Sequence, residues 1–280
     1  GRILIVFFSR DMYIMSKELS LIGCPLCGDI SETILTDKLR RGDGRVFYCS
    51  SCDHGFLDSK PEIDMKEYYK EEYRKEYSNR ADVSSTNAQE IFDVYNQYQD
   101  SRLKIIRPTL NKNKSLLEVG ISSGQFVYHI KNEVRLINGI ELDKDCSDFV
   151  NNVIGIETDD NYLPESRFKE NKYDVVCAFQ VMEHVPNPVS FLQELITASA
   201  SKGKIYVEVP NLNDPLIKIW GNHAYKDFYY HSAHLHYFTE ESLLKVALQA
   251  GIESSKVEFK FTQDYNLLNH LNWIMNDTPQ

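Results

Sequence analysis

One stretch near the middle of the chain constrains the fold more than any other, because it combines an apolar run with two closely spaced glycines. Residues 116–126 read Leu-Leu-Glu-Val-Gly-Ile-Ser-Ser-Gly-Gln-Phe. The run predicts a short buried strand carrying Glu118, and Gly120 and Gly124 predict a sharp turn into a helix. Glycine has no Cβ, so the backbone of such a turn can approach a ligand closely. The pattern indicates either a cofactor loop or an ordinary strand-to-helix turn.

A second strand-like segment follows and also ends in an acid. Residues 135–141 read Arg-Leu-Ile-Asn-Gly-Ile-Glu. Nucleotide-binding α/β units place a carboxylate about twenty residues beyond the first turn, where it binds ribose hydroxyls. We therefore expect Glu118 and Glu141 to face one cleft at the carboxyl ends of adjacent strands.

These residues resemble two motifs of the class I S-adenosylmethionine (SAM)-dependent methyltransferases. The acid-x-Gly-x-Gly-x-Gly turn of that family is matched by Glu118, Gly120, Ser122 and Gly124, with serine replacing the middle glycine. The strand-end acid of the family is matched by Glu141. The resemblance implies a Rossmann-like α/β core with a mostly parallel sheet, and SAM as the cofactor. It also implies further cofactor-binding residues, namely Leu142, Asp160, Phe179 and Gln180.

An acidic turn marks the next candidate strand. Residues 153–156 read Val-Ile-Gly-Ile and predict a third strand, and four residues rich in acids follow it. In the family, an acid just past this strand contacts the adenine amino group. Asp160 is the first candidate for this contact and Asp159 the second, although an acidic turn is also typical of solvated surface.

Four of the six cysteines form two C-x-x-C pairs, Cys24 with Cys27 and Cys49 with Cys52, and 21 residues separate the pairs. Each pair can direct two thiolates at one ion, and four thiolates complete a closed tetrahedral zinc site. Redox pairs and disulfides are the alternatives. A four-cysteine site has no open position, so we expect zinc to stabilise a small ribbon over residues 20–60. His54 is expected to be an exposed loop histidine.

Two further segments before the glycine turn, residues 1–19 and 61–110, are assigned from their composition and spacing. Residues 3–8 are apolar but too few to span a bilayer or to form a signal-peptide core, so residues 1–19 are treated as an extension outside the fold. Residues 61–79 are rich in tyrosine at helical spacing, which favours a helix packed on the core, or a lid by resemblance to the family. Residues 61–110 are assigned to this lid and linker, and the methyltransferase core to residues 111–280.

A further strand is predicted over residues 172–179, a nearly continuous apolar run. The sequence that follows, from Gln180 to Pro188, resembles the turn after the fourth strand of the methyltransferase family. There a Glu-His pair precedes a proline-containing turn and a helix. The resemblance makes His184 a catalytic candidate, and a packing or capping histidine is the alternative.

A histidine-rich and aromatic segment carries the resemblance that bears on substrate. Residues 234–239, His-Leu-His-Tyr-Phe-Thr, resemble a stretch of methyltransferases that act on nucleotide-linked sugars and surface polysaccharides. That resemblance makes His234 and Tyr237 catalytic candidates. In the sugar C-methyltransferases a Glu-His pair supplies the base, whereas this chain has Ala233 before His234, which removes the acidic partner. A metal is not expected here, because the sequence places no carboxylate nearby.

The aromatic residues around these histidines suit either a pocket for a sugar or a cap over the sheet. The segment from Tyr265 to Trp273 resembles the ending of methyltransferases encoded in cell-surface glycan clusters. The sequence thus predicts a cytoplasmic SAM-dependent methyltransferase of polysaccharide biosynthesis. Its substrate would be a sugar, a nucleotide-sugar or a glycan precursor.

The net charge disfavours one class of partner, and two alternative functions remain. The formal net charge is −10 and no basic stripe is visible, so nucleic acid is not an expected partner. An RNA base methyltransferase with a four-cysteine ribbon is one alternative. A non-catalytic SAM-binding interaction protein is the other. No membrane span is expected, and the oligomeric state does not follow from the sequence.

Overall fold

A computed structural model describes residues 1–8, 23–40, 44–58, 87–263 and 267–278. The tyrosine-rich segment 61–79, which the sequence analysis assigns to a helical lid, lies outside these residues. The described strands are, in chain order, β1 Arg2–Phe8, β2 Thr33–Thr36, β3 Val46–Cys49, β4 His54–Leu57, β5 Ser115–Val119, β6 Leu136–Ile140, β7 Glu157–Asp159, β8 Tyr173–Phe179, β9 Ser199–Pro210, β10 His236–Tyr237 and β11 Glu258–Thr262.

The described helices are α1 Ala88–Tyr95, α2 Asp100–Ile106, α3 Gln125–Ile130, α4 Lys144–Phe149, α5 Pro188–Ala198, α6 Pro215–Lys218, α7 His223–Tyr229, α8 Glu240–Gln249 and α9 Leu267–Asn276. None of them is long and apolar enough to cross a bilayer. The chain divides into two compact units. The first contains Gly1–Lys60, Gln180–Gln193 and Val207–Gln280, and the second contains Pro61–Phe179 and Glu194–Tyr206.

The second unit is built on a parallel sheet. Its strand order is β9-β8-β5-β6-β7, and β5 pairs in parallel with both β6 and β8, while β6 pairs in parallel with β7. The central strands β5 and β8 are almost continuously apolar, as expected for strands that are covered on both faces. The predicted Rossmann-like fold with a mostly parallel sheet is therefore confirmed.

The predicted third strand of this sheet was misplaced. Residues 150–154 form a π-helical turn that continues α4, and the strand is Glu157–Asp159. Val150 and Ile154 are both buried, and a Cβ added to Gly124 would lie 3.2 Å from Val150 Cγ2. Packing of Val150 and Ile154 near the glycine turn therefore overrides the β propensity of the predicted strand. Gly155 ends the helix with φ 79°, a left-handed conformation that suits glycine.

The first unit contains the cysteine-bearing strands in a small antiparallel sheet of order β10-β4-β3-β2. His236 pairs with Phe56 and Tyr237 pairs with Gly55, so the edge of β4 is completed by a strand from far along the chain. A Cβ on Gly55 would lie 3.0 Å from the Cβ of Tyr237. The absence of a side chain at Gly55 therefore permits this close pairing.

The N-terminal residues are part of the fold of this unit rather than an extension outside it. Strand β1 pairs antiparallel with β11, with Arg2 opposite Thr262 and Val6 opposite Glu258. Ile3, Leu4 and Ile5 are completely buried. The apolar run at the start of the chain is therefore a strand of the fold.

Most of the aromatic residues after β9 form the core of the first unit. Buried side chains of this core include Tyr225, Tyr229, Tyr230, Tyr237 and Trp273. Neighbouring rings are in edge or tilted contact, with centroids 5.2 Å apart for Tyr225 and Trp273. Such aromatic pairs stabilise a core beyond their buried area.

Candidate active site

The glycine turn has three left-handed residues in alternation. Gly120, Ser122 and Gly124 have φ angles of 75°, 51° and 81°. The turn is fastened to β6, because the amides of Gly120 and Ile121 donate to the carbonyl of Ile140 at 2.8 and 3.1 Å. Alternating left-handed residues present successive backbone N–H groups on one side of a turn. This local geometry suits a ligand that approaches the backbone closely.

Glu141 is joined directly to this turn. Its Oε2 accepts a hydrogen bond from the Ser122 amide at 2.7 Å, and its Oε1 accepts one from the Asp143 amide at 2.9 Å. The carboxylate is only half-buried, and a carboxylate has about four lone-pair positions in total. Glu141 therefore fixes the glycine turn from its position just after β6. Leu142 follows it and is also half-buried.

Glu118 lies deeper than Glu141. It is 3% exposed and sits in β5 opposite Cys177 of β8. Burial, and then the charge of Glu118, raise the pKa of the Cys177 thiol. Phe179, at the end of β8, packs edge-on against Phe126 with ring centroids 5.1 Å apart. The predicted residues of the second unit therefore gather at the ends of β5, β6 and β8.

Hydrogen bonding separates the two acids proposed for the adenine contact. Asp159 uses its carboxylate within the loop, accepting from the amides of Asn161 and Arg167 at 2.9 Å each. Burial raises its pKa, but these hydrogen bonds outweigh burial, so the pKa is lowered overall. Asp160 is half-buried, and its carboxylate makes no hydrogen bond within the described part of the chain. Asp160 is therefore the acid with acceptor capacity to spare.

A surface pocket of about 310 Å³ opens beside these two acids. Its walls are polar and include Lys144, Asn151 and Arg167 as well as Asp159 and Asp160. Glu118, Glu141 and the glycine turn do not line this pocket. We therefore treat the pocket as a neighbour of the predicted cofactor site and not as the site itself.

In the first unit, the chain leaves β8 through a strained residue. Gln180 has φ 57°, which is unusual for a residue with a side chain. Its amide donates to the Glu208 carbonyl at 2.7 Å, and its side-chain amide lies 3.3 Å from Glu208 Oε1. Backbone strain of this kind is common at functional sites. Gln180, however, lies in the first unit, whereas the other predicted cofactor-binding residues lie in the second.

The two histidines predicted as catalytic meet around one carboxylate. Glu183 is completely buried, and its Oε1 lies 3.9 Å from Nε2 of both His184 and His234. His184 Nδ1 lies 2.7 Å from the carbonyl of Ala233. A carbonyl can only accept, so we assign the proton of neutral His184 to Nδ1. The three side chains offer ligand atoms within 4.8 Å of one another.

This cluster corrects two expectations from the sequence. His234 was expected to lack an acidic partner because Ala233 precedes it, and the region was expected to lack a carboxylate for a metal. Glu183 supplies the carboxylate in both cases, from the turn after β8. The Glu183-His184 pair was visible in the sequence, but nothing local indicated that it would meet His234.

Burial makes the histidines of this cluster neutral. It lowers the pKa of His184 to about 4, although the Ala233 carbonyl raises it. The pKa of His234 is lowered well below its usual range, first by burial and then by His231 and His184. His234 Nδ1 is buried and has no hydrogen-bond partner among the described residues. With its Nε2 facing Glu183, the unpartnered Nδ1 is the atom that can accept a proton.

Tyr237, the third catalytic candidate, is almost completely buried. Its hydroxyl accepts from the His231 amide and donates to the His231 carbonyl, both at 3.0 Å. These bonds hold the turn that carries His234. The structure therefore places Tyr237 beside the histidines, with a hydroxyl occupied by the backbone.

The four ribbon cysteines converge within the first unit. All six cysteines are free thiols, so the disulfide alternative is not supported. The sulfur atoms of Cys24, Cys27, Cys49 and Cys52 lie within 4.8 Å of one another, and those of Cys27 and Cys49 are 3.6 Å apart. Four sulfurs at such distances match the donor set of a closed zinc site.

The groups around the sulfurs also fit a bound cation. The Lys245 ammonium donates to Cys52 Sγ at 3.2 Å, which offsets part of the charge that four thiolates would carry. Partial burial, and then the neighbouring Cys52 thiol, raise the pKa of Cys27, and a bound cation favours the thiolate form of such a ligand.

His54, expected to be exposed, is completely buried in β4. Its Nε2 lies 3.1 Å from His236 Nδ1, and His236 Nε2 lies 3.0 Å from the carbonyl of Val185. No local sequence pattern predicts this pairing, because the two histidines are 182 residues apart.

A parallel sheet with a glycine turn after one strand and an acid after the next is typical of nucleoside-binding α/β proteins. A family model described as a methyltransferase domain matches residues 91–256, more than half of the chain. The chain therefore belongs to this family and is a SAM-dependent methyltransferase.

Solved structures with a similar fold are more distant. A SAM-dependent methyltransferase from Archaeoglobus fulgidus is 18% identical, with 59% of this chain and 73% of that one covered and a TM-score of 0.47. A SAM-dependent methyltransferase from Thermotoga maritima is also 18% identical, with 59% and 77% covered and a TM-score of 0.47. No curated protein matches the chain.

Proposed function

We propose that this methyltransferase acts on a sugar, a nucleotide-sugar or a surface-glycan precursor, and that His234 takes the proton from the acceptor group. The observation that carries the catalytic part of the proposal is the environment of His234. Its Nδ1 is buried without a hydrogen-bond partner among the described residues, while its Nε2 lies 3.9 Å from Glu183 Oε1. The substrate class rests on the resemblance of residues 234–239 and 265–273 to enzymes of sugar and glycan methylation.

Most of the proposed cofactor contacts lie in the second unit, whereas Gln180 lies in the first. SAM, when bound, supplies an electrophilic methyl group on a sulfonium sulfur. Glu141 would accept hydrogen bonds from the ribose hydroxyls, and Asp160 would accept one from the adenine amino group. The backbone of Gly120, Ser122 and Gly124 would lie against the cofactor, with Glu118, Leu142, Phe179 and Gln180 as the remaining proposed contacts.

The residues around His234 would tune it as a base. A neutral imidazole accepts a proton at one nitrogen and must then carry a charge on the ring. The carboxylate of Glu183 near Nε2 would stabilise the positive charge of the protonated imidazole. His184 is the second candidate for the base, and its Nδ1 bond to Ala233 leaves Nε2 as its accepting atom. Tyr237 is proposed to hold the His231–His234 turn.

The test is a pair of substitutions at His234. His234→Asn should lower kcat by about 10² to 10⁴, the usual contribution of a general base, with SAM affinity measured by calorimetry unchanged. His223→Asn, in the exposed first turn of α7, is the matched control and should retain full activity. An unchanged kcat in His234→Asn would remove His234 as the base, and an effect on SAM affinity alone would reassign it to cofactor binding.

The RNA alternative is tested by a binding shift with labelled RNA and by RNA methylation. The net charge of −10 disfavours binding to a phosphate backbone, so a labelled RNA should show no salt-dependent shift with the protein. A shift that weakens steeply with salt, together with methylated RNA, would favour the RNA base methyltransferase. SAM binding with no turnover on any sugar or RNA would favour the non-catalytic alternative.

The four-cysteine ribbon is proposed to hold one zinc ion. A closed four-thiolate site has no open position for a substrate, so its contribution is structural. Cys24, Cys27, Cys49 and Cys52 would hold the ion, and Lys245 would offset its excess negative charge.

A further inference from the structure

We propose that the four-cysteine site orders the acceptor-side histidines, so that the ribbon is a positioning element of the active site. The histidine segment is defined as residues 231–239, and the ribbon as residues 23–40 and 44–58. Both belong to the first unit. The inference rests on the proposed role of His234 and of the bound zinc, but its test does not depend on methyl transfer.

The first connection is made by the backbone. Strand β10 lies within the histidine segment and pairs with β4, and the Leu57 amide of the ribbon donates to the Leu235 carbonyl at 3.0 Å. Strand β4 begins two residues after Cys52, and its first residue, His54, pairs with Cys49. The histidine segment therefore forms the outermost strand of the same sheet that carries the second cysteine pair.

The second connection is made by buried imidazoles. His54 bonds to His236, and His236 bonds in turn to the carbonyl of Val185, one residue after His184. The Leu235 amide donates to the Glu183 carbonyl at 2.8 Å. These contacts fix the histidine segment against the turn that carries Glu183 and His184. These hydrogen bonds thus join strand β4 to Leu235, the chain neighbour of the proposed base, and to the turn that carries Glu183.

The third connection is made by helix α8, which begins directly after the histidine segment. The Thr239 hydroxyl donates to the Asp53 carbonyl at 2.7 Å, and Gln249 donates to the Leu26 carbonyl at 2.7 Å. Lys245 donates to the Ser51 carbonyl at 3.0 Å and to Cys52 Sγ at 3.2 Å. The side chains of α8 and of Thr239, which caps it, therefore donate hydrogen bonds to the loops that carry the cysteines.

The ribbon has little means of keeping this shape without an ion. A cluster of four thiols in a small, short-stranded sheet is the kind of structure that folds when its metal binds. When the cysteine loops lose their shape, β10 loses its partner strand and α8 loses its acceptors. The glycine turn and Glu141 lie in the second unit and make none of these contacts.

The test is amide hydrogen exchange, read by mass spectrometry on the full chain. The metal-bound protein is compared with the same protein after chelation and with Cys27→Ser, which removes the exposed cysteine of the set. We expect exchange in residues 231–239 to accelerate by at least about tenfold on metal loss. Peptides covering residues 115–125 should exchange as before, and SAM affinity by calorimetry should be retained.

Two further variants keep the result interpretable if metal loss unfolds more of the chain. His54→Phe keeps all four cysteines and should retain the metal, but it removes the bond to His236. It should accelerate exchange in residues 231–239. Cys146→Ser, a buried thiol outside the ribbon, is the control and should leave that exchange unchanged. Unchanged protection of residues 231–239 in both the metal-free protein and His54→Phe would overturn the proposal.

Discussion

Ser122 holds a backbone conformation that glycine adopts freely and serine does not. Its φ of 51° lies between two glycines with similar angles, and its amide donates to Glu141. A non-glycine residue in this conformation is retained only where the surroundings fix it. The hydrogen bond from the Ser122 amide to Glu141 is one such constraint, so the glycine turn and Glu141 fix each other's position.

A bulkier residue at position 122 tests this reading of the turn. Ser122→Val should lower the free energy of unfolding by about 1 to 3 kcal/mol, because a β-branched side chain at positive φ is strained. It should also weaken SAM binding. Ser122→Gly is the control and should stay within about 1 kcal/mol of the wild type. Equal urea midpoints for the valine and glycine variants would contradict the assigned conformation.

The buried histidines predict how stability depends on pH. Burial lowers the pKa of His184 to about 4, and the usual value of 6.5 applies in the unfolded chain. The unfolded chain therefore binds this proton more readily than the native one. The stability that neutral His184 contributes is complete above about pH 6.5 and is lost as the pH falls toward 4.

For His184 alone, the loss between about pH 7 and pH 5 is about 2 kcal/mol. The free energy of unfolding, measured in urea at both pH values, should fall more steeply for the wild type than for His184→Gln. The stability difference between the two proteins should therefore change by about 2 kcal/mol. The same difference at both pH values would show that His184 titrates normally in the native state.

The residues of the site differ in how far the sequence could reveal them. Gly120, Ser122 and Glu141 are local signals, because a turn and a strand-end acid are set by neighbouring residues. Glu183 and His54 depend on contacts with residues far along the chain, and no local pattern carries that information. The partner of His234 could therefore be found only from the tertiary structure.

At the scale of elements, the sequence predicts a strand of the parallel sheet correctly where its apolar run is long. Strand β8 was predicted over residues 172–179 and found at Tyr173–Phe179. The short β-branched run at residues 153–154 predicts a strand but forms a helix end, in which Ile154 is buried near Gly124 and Val153 is exposed. Strand β10 has only two residues, so its sequence shows no periodicity. It forms because its backbone pairs with β4 at the edge of the ribbon sheet.

Strand β1 gives a prediction at this scale. Leu4→Ala should lower the free energy of unfolding by about 2 to 5 kcal/mol, because the side chain is completely buried between paired strands. Leu268→Ala, at a side chain 61% exposed on α9, is the matched control and should change stability by less than about 0.5 kcal/mol. Similar urea midpoints for the two variants would show that β1 contributes little to the fold.

The whole molecule divides its proposed tasks between two units. The second unit carries the glycine turn, Glu118, Glu141 and Asp160, and the first carries the cysteine ribbon and the Glu183, His184 and His234 cluster. This division predicts that cofactor affinity and acceptor turnover respond to different substitutions.

The measurement that tests the account most directly is methyl transfer to sugars. Nucleotide-sugar and glycan-precursor pools are incubated with the full chain and methyl-labelled SAM, and the products are identified by mass spectrometry. We expect one labelled methyl group on a sugar product with the wild type, and none with Glu141→Ala, which should also fail to bind SAM in calorimetry. Labelled RNA with unlabelled sugar pools, or full activity and SAM affinity in Glu141→Ala, would contradict the account.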